Sequence, residues 1–109
     1  MELKVQGEIK FETETGYQLN SRLIDLLNLI NNTGSLNIAV KELGMSYSYA
    51  WNILYKTNCQ LKTPIVILHR GGKGGGLAEL TDEGKNLLDY YCKLRNDSVK
   101  FLLKKTIQL

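Results

Sequence analysis

The chain is poor in the residues that build metal and redox sites. It has two cysteines, Cys59 and Cys92, and a single histidine, His69. Three such groups, far apart in sequence, cannot supply a four-ligand zinc site of familiar spacing. Two reduced thiols are therefore expected, and no local pattern sets up a Cys–His nucleophile. There is one proline, Pro64, placed where an edge strand would open and a missing backbone donor does no harm. No apolar run approaches the ~20 residues that a membrane-spanning helix needs. The opening residues, MELKVQGEIK, carry charges where a signal peptide has its apolar centre. A cytoplasmic protein with no cofactor and no membrane partner is expected.

What remains is an ordinary globular composition, 43% hydrophobic and 23% charged in 109 residues, which sets the expectation of a single domain over residues 1–109. A net charge of +3 says little, but its distribution says more. The first third is acidic on balance. The stretch from 36 to 76 carries Lys41, Lys56, Lys62, Arg70 and Lys73 against Glu42 alone. Glu79, Asp82 and Glu83 follow, and the last quarter is basic again.

Periodicity divides the chain. Residues 3–13 alternate Leu3, Val5, Ile9 and Phe11 with Lys4, Gln6, Glu8, Lys10 and Glu12, which predicts a half-buried strand. Gly7 in its middle points to a bulge or a close backbone approach. A turn containing Gly16 leads to a helix over 19–33, with Leu23, Leu26, Leu27 and Ile30 on one face and Asn20 or Ser21 as cap. Gly34 ends that helix and Ser35 caps the next. A hairpin is expected over 64–80 and a last helix over 82–105, capped by Thr81, with Asp82 and Glu83 at its positive end. The final residues, KKTIQL, are expected to fray.

The most telling stretch is 36–59, which reads as two short helices around a tight turn at Gly44. Ala39 and Val40 supply the small contact between them, and Leu43, Met45, Ala50 and Ile53 the buried positions. Ser46 caps the second helix. Its exposed face carries Ser46, Tyr47, Ser48, Tyr49, Asn52 and Lys56, hydroxyls, an amide and a cation suited to phosphates and base edges. Trp51 is expected to fill the space between helices. The loop RGGKGGG, residues 70–76, lacks the G-x-x-x-x-G-K-[ST] spacing of a nucleotide cradle, and no Ser or Thr follows Lys73. As the tip of a basic hairpin it brings Arg70 and Lys73 to a sugar-phosphate surface. The fold class expected is α+β, a winged helix-turn-helix with an N-terminal strand, a β-hairpin wing and a long C-terminal helix. Leu87, Leu88, Tyr91, Leu94, Phe101 and Leu102 give that last helix a broad apolar stripe, longer than one domain needs for closure. Two-fold pairing would cover it.

The segment GSLNIAVKELGMSYSYAWNIL, then Asn58, then RGGKGGG and LTDEGKNLL closely resembles the N-terminal DNA-binding domain of ModE-type molybdate-responsive transcription regulators, related to the LysR-type helix-turn-helix. The likeness runs from about Val5 to Leu94. Its specific part joins Ser46, Tyr47, Ala50 and Trp51 with the glycine loop and with Leu80, Thr81 and Gly84. The resemblance implies a double-stranded DNA-binding transcriptional regulator, not an enzyme, acting as a homodimer. It also implies that Ser46, Tyr47, Ser48, Asn52 and the wing face DNA. Members of that family continue into small β-barrel domains that bind molybdate. No molybdate-binding domain is expected in the 109 residues here, nor direct molybdate sensing. The competing expectation is a winged-helix protein-interaction module that does not bind DNA.

Overall fold

Local capping sets where each helix begins. The computed structural model describes residues 1–69 and 76–109. Its four helices are α1 (Ser21–Thr33), α2 (Leu36–Leu43), α3 (Tyr47–Gln60) and α4 (Asp82–Leu103). The side chains of Asn20, Ser35, Ser46 and Thr81 accept from the backbone N–H of Leu23, Ile38, Tyr49 and Gly84. Each such bond satisfies a donor left free at a helix start and stabilises by ~1 kcal/mol. α1 and α2 end on Gly34 and Gly44, whose φ of 68° and 65° lie in the left-handed region, where a side chain would crowd the backbone. The Gly44 N–H returns to the carbonyls of Lys41 and Val40, so α2 reaches α3 through three residues, 44–46.

Among the described residues six short strands form three antiparallel pairs. β1 (Glu2–Leu3) pairs with β6 (Ile107–Gln108), β2 (Phe11–Glu12) with β3 (Gln18–Leu19), and β4 (Val66–Leu68) with β5 (Ala78–Leu80). The architecture is thus α+β. The β4–β5 hairpin is tied to the α1–α2 junction. Ser35 bridges Leu77, the Leu36 N–H donates to the Gly76 carbonyl at 2.6 Å, and the Ala78 N–H donates to that of Gly34 at 3.1 Å.

The core is the apolar stripe of α1, with Leu23, Ile24, Leu26, Leu27 and Ile30 all buried, closed by α2, α3, the hairpin and the first half of α4. Burying each such aliphatic side chain stabilises by ~1.5–3 kcal/mol before ordering costs. α4 enters this core closely. The Thr81 hydroxyl donates to the Pro64 carbonyl at 2.8 Å, and a Cβ on Gly84 would run into the Ile65 carbonyl oxygen. Glycine is therefore needed at 84 for approach, not for conformation.

Several expectations change. The strand expected over 3–13 is two separate pieces, β1 and β2, because their partners lie far apart in sequence and residues 4–10 form no ladder. Gly7 is closely approached by the Leu102 side chain, 3.3 Å from where its Cβ would stand, rather than by backbone. The helix expected from 19 starts at Ser21, because Gln18 and Leu19 are held as β3. The last helix stops at Leu103 instead of 105, and the tail beyond it pairs with the N-terminus instead of fraying. Leu54, not Ile53, is fully buried in α3, along with Ala50 and Thr57.

Candidate nucleic-acid interface

α3 divides into two faces. Ala50, Leu54 and Thr57, three or four positions apart, turn inward and are buried, as a 3.6-residue period requires. Ser48, Tyr49, Asn52, Tyr55, Lys56 and Cys59 are exposed on the other side. Two of these are large aromatics in the open, Tyr49 at 55% and Tyr55 at 63% exposure. No acidic residue occurs anywhere in the helix, YSYAWNILYKTNCQ. A solvated helix face usually mixes both signs of charge, whereas this one offers hydroxyls, amides, aromatic rings and a single ammonium.

The expected site residues fall into three groups. Ser46, Ser48, Tyr49, Asn52 and Lys56 are exposed together along the outer side of α3 and its start. Ser46 is also the cap, its Oγ accepting from the Tyr49 N–H at 3.1 Å, so its own hydroxyl hydrogen remains to donate elsewhere. Tyr47 is half-buried, its ring stacked on Trp51 with centroids 6.3 Å apart. Arg70 and Lys73 lie outside the described residues.

Two of its own side chains hold α3 in place. Asn58 reaches β4. Its Oδ1 accepts from the Ile65 N–H at 2.9 Å and the Val66 N–H at 3.3 Å, and its Nδ2 donates to the Val66 carbonyl at 2.8 Å. This amide ties the helix to the hairpin with both ends engaged. At the preceding position Thr57 bonds the Tyr17 hydroxyl at 2.6 Å, and the Lys56 ammonium lies 5.9 Å from the centre of the Tyr17 ring. Below, the Arg22 guanidinium donates to the Leu43 carbonyl at 2.9 Å, joining α1 to the end of α2. The roles of Tyr17 and Thr57 were missed by sequence reasoning, and Asn58 entered it only as part of a resemblance. A threonine continuing the Ala50–Leu54 stripe was the available signal, since a buried hydroxyl needs a partner.

Along residues 36–69 the charge is sparse and positive. Lys41, Lys56 and Lys62 are exposed, with Glu42 the only carboxylate between 36 and 69. On the hairpin, His69 faces Glu79 at 3.6 Å, both more than half exposed, a pairing that water screens strongly. A groove of about 360 Å³ runs beside α3, lined by Tyr17, Gln18, Tyr49, Asn52, Ile53 and Lys56. Among the described residues no cluster of His, Cys, Asp or Glu is placed to hold a metal ion, and none of the helices is long and apolar enough to cross a membrane. Cys59 and Cys92 are free thiols.

No protein-family model matches the chain. Over most of its length it is similar to ModE and MopB proteins. It is 36% identical over 88 residues, 81% of its length, to the molybdenum-pterin-binding protein MopB of Rhodobacter capsulatus. It is 34% identical over 85 residues to the molybdenum transport protein ModE of Azotobacter vinelandii, and 40% identical over 89 residues to the transcriptional regulator ModE of Yersinia pestis. The chain spans about a third of the length of these relatives, 33%, 32% and 34% respectively. Their names are those of regulators, binding proteins and transport proteins, not of enzymes.

Proposed function

We propose that residues 1–109 are one winged helix-turn-helix domain that binds double-stranded DNA as a homodimer in the cytoplasm and regulates transcription. The observation that carries this reading is the outer side of α3. It exposes Ser46, Ser48, Tyr49, Asn52 and Lys56, bears no carboxylate, and belongs to a helix tied to the hairpin by Asn58 and to Tyr17 by Thr57. A rigid helix with such a face suits the major groove, where an amide pairs with adenine and hydroxyls reach phosphates. Tyr47 contributes at the helix start. The hairpin of β4 and β5 acts as the wing, with Arg70 and Lys73 at its tip on the flanking backbone. The ModE proteins named as transcriptional regulators support the functional half of the proposal.

Pairing of two copies uses the far end of α4 with β1 and β6, where apolar side chains lie exposed in one copy. Two-fold symmetry then calls for an inverted-repeat site with half-sites a helical turn or more apart. The test is fluorescence anisotropy of the protein on a labelled random-sequence duplex across a salt series, with the Arg70→Ala/Lys73→Ala variant alongside. Affinity should fall linearly with salt on logarithmic axes. The variant's slope should be shallower by up to about 1.8, the release of two phosphates' counterions at ~0.9 each. Absence of binding at low salt overturns the proposal and leaves the interaction module as the reading.

A further inference from the structure

We infer that Tyr17 is a positioning residue for DNA contact by Lys56, a role that brings the β2–β3 turn into the interface. The inference rests on the proposed function and assigns a task to a residue outside both helix-turn-helix and wing.

Tyr17 is fixed from three directions. Its backbone N–H donates to the Thr13 hydroxyl oxygen at 3.0 Å, and its carbonyl accepts from the Thr13 N–H at 2.8 Å. Its hydroxyl lies 2.6 Å from Thr57 Oγ1. The direction of that last bond follows from proton count. Thr57 has one hydroxyl hydrogen and spends it on the Ile53 carbonyl at 2.7 Å, which can only accept. The Tyr17 hydroxyl is therefore the donor, and its ring is pinned to α3 through a buried threonine.

The pinned ring stands beside Lys56, whose ammonium is 5.9 Å from the ring centre. Such a placement attracts a cation to the ring's electron-rich face. It also restricts a side chain that otherwise loses much rotamer freedom on meeting a ligand. Among the described residues no carboxylate forms an ion pair with Lys56. The ammonium stands on the rim of the groove that Tyr49 and Asn52 also line. A phosphate passing along that groove meets a cation already in place.

The test uses the full 109-residue chain and a fluorescein-labelled random-sequence duplex, with salt-dependence measured for wild type, Lys56→Ala, Tyr17→Leu, Tyr17→Phe and Tyr17→Leu/Lys56→Ala. Lys56→Ala should make the salt slope shallower by ~0.9, one phosphate contact. Tyr17→Leu should lose the same slope, Tyr17→Phe, which keeps the ring but loses its bond to Thr57, should fall between Tyr17→Leu and wild type, and the double variant should match Lys56→Ala. A merely structural role for Tyr17 gives a different pattern, with Tyr17→Leu weakening binding equally in both backgrounds, and that pattern overturns the inference. So does a wild-type slope in Lys56→Ala or in Tyr17→Leu. Should Tyr17→Leu fail to fold, proton NMR of the unmodified protein decides. Ring current from Tyr17 should move the Lys56 Hε resonances upfield, and unshifted resonances overturn the inference. If the wild type binds no duplex at all, the proposed function falls and this inference with it. If it binds but Tyr17 proves uncoupled from Lys56, only the inference falls.

Discussion

The two halves of α4 differ in what they meet. In the first half Gly84 lies against the Ile65 backbone, Leu88 and Tyr91 are buried, and Phe11 packs edge-on to Tyr91 with centroids 5.9 Å apart. In the second half Val99, Phe101 and Leu103 are 50%, 60% and 57% exposed. Leu102 lies against Gly7, and Val99 and Leu103 line the same hollow as residues 4–7 while staying half open to solvent. One continuous helix thus serves two purposes. Its first turns close a core, and its last turns carry apolar surface beyond that core's reach. Scattered apolar residues on a surface are ordinary, but here they gather at one end with Leu3 and Ile107, both also exposed. A long helix is therefore no proof of a large core. What matters is where along it the burial stops.

Substitutions along α4 can break or sharpen this contrast. The largest effect is expected from Leu88→Ala, which empties a buried position and should lower unfolding free energy by about 2–5 kcal/mol in urea titration. Gly84→Ala should follow at about 1–3 kcal/mol, because the new methyl must push α4 away from the Ile65 carbonyl. Both should leave self-association intact at temperatures where the protein is folded. The double variant Phe101→Ser/Leu103→Ser should behave oppositely. Monomer stability should change by less than about 0.5 kcal/mol per site, as at an ordinary surface, while sedimentation velocity should shift toward the monomer. An unchanged sedimentation profile would mean that the far end of α4 is not the pairing surface, and the contrast would reduce to mere overhang.

The smallest effect is expected from pH. Burial pushes the Tyr91 phenol above its ordinary value of 10.0, with Asp25 and Glu8 adding to the rise and Arg95 opposing it. The folded state therefore favours the neutral phenol. Its contribution is complete below 10.0 and is lost as pH rises through the higher folded-state value. Tyr91→Phe should remove that part of the alkaline loss, seen as a urea midpoint that falls less above this pH than in wild type.

These results also mark what the amino-acid order made legible. Caps such as Asn20, Ser35, Ser46 and Thr81, and helix ends at Gly34 and Gly44, depend on neighbours within a few positions, so local chemistry reveals them. The outward grouping of Ser48, Tyr49, Asn52 and Lys56 follows from helical period alone. Choosing Leu54 over Ile53 as the buried residue was harder, since adjacent aliphatic residues differ by only 100° around the helix and packing decides between them. Pairing of β1 with β6 was not legible, because two residues at each end of the chain carry almost no pattern. Nor were the Tyr17–Thr57 and Asn58–Val66 bonds. Each joins side chains or backbone across a fold that must exist before the partners become neighbours.

Pairing at the chain ends also has a mechanical consequence. The Met1 amino group donates to the Leu109 carbonyl at 2.9 Å, and the Leu109 N–H donates to the Met1 carbonyl at 2.8 Å. Because β1 and β6 run antiparallel with these residues at the outer edge, tension applied between residues 1 and 109 loads the bonds one after another instead of all at once. The pair opens like a zipper at low force. Strain then passes first to the exposed end of α4, far along the helix from Gly84, so anything tethered at these two residues can tug on the arm while the α3 platform stays seated.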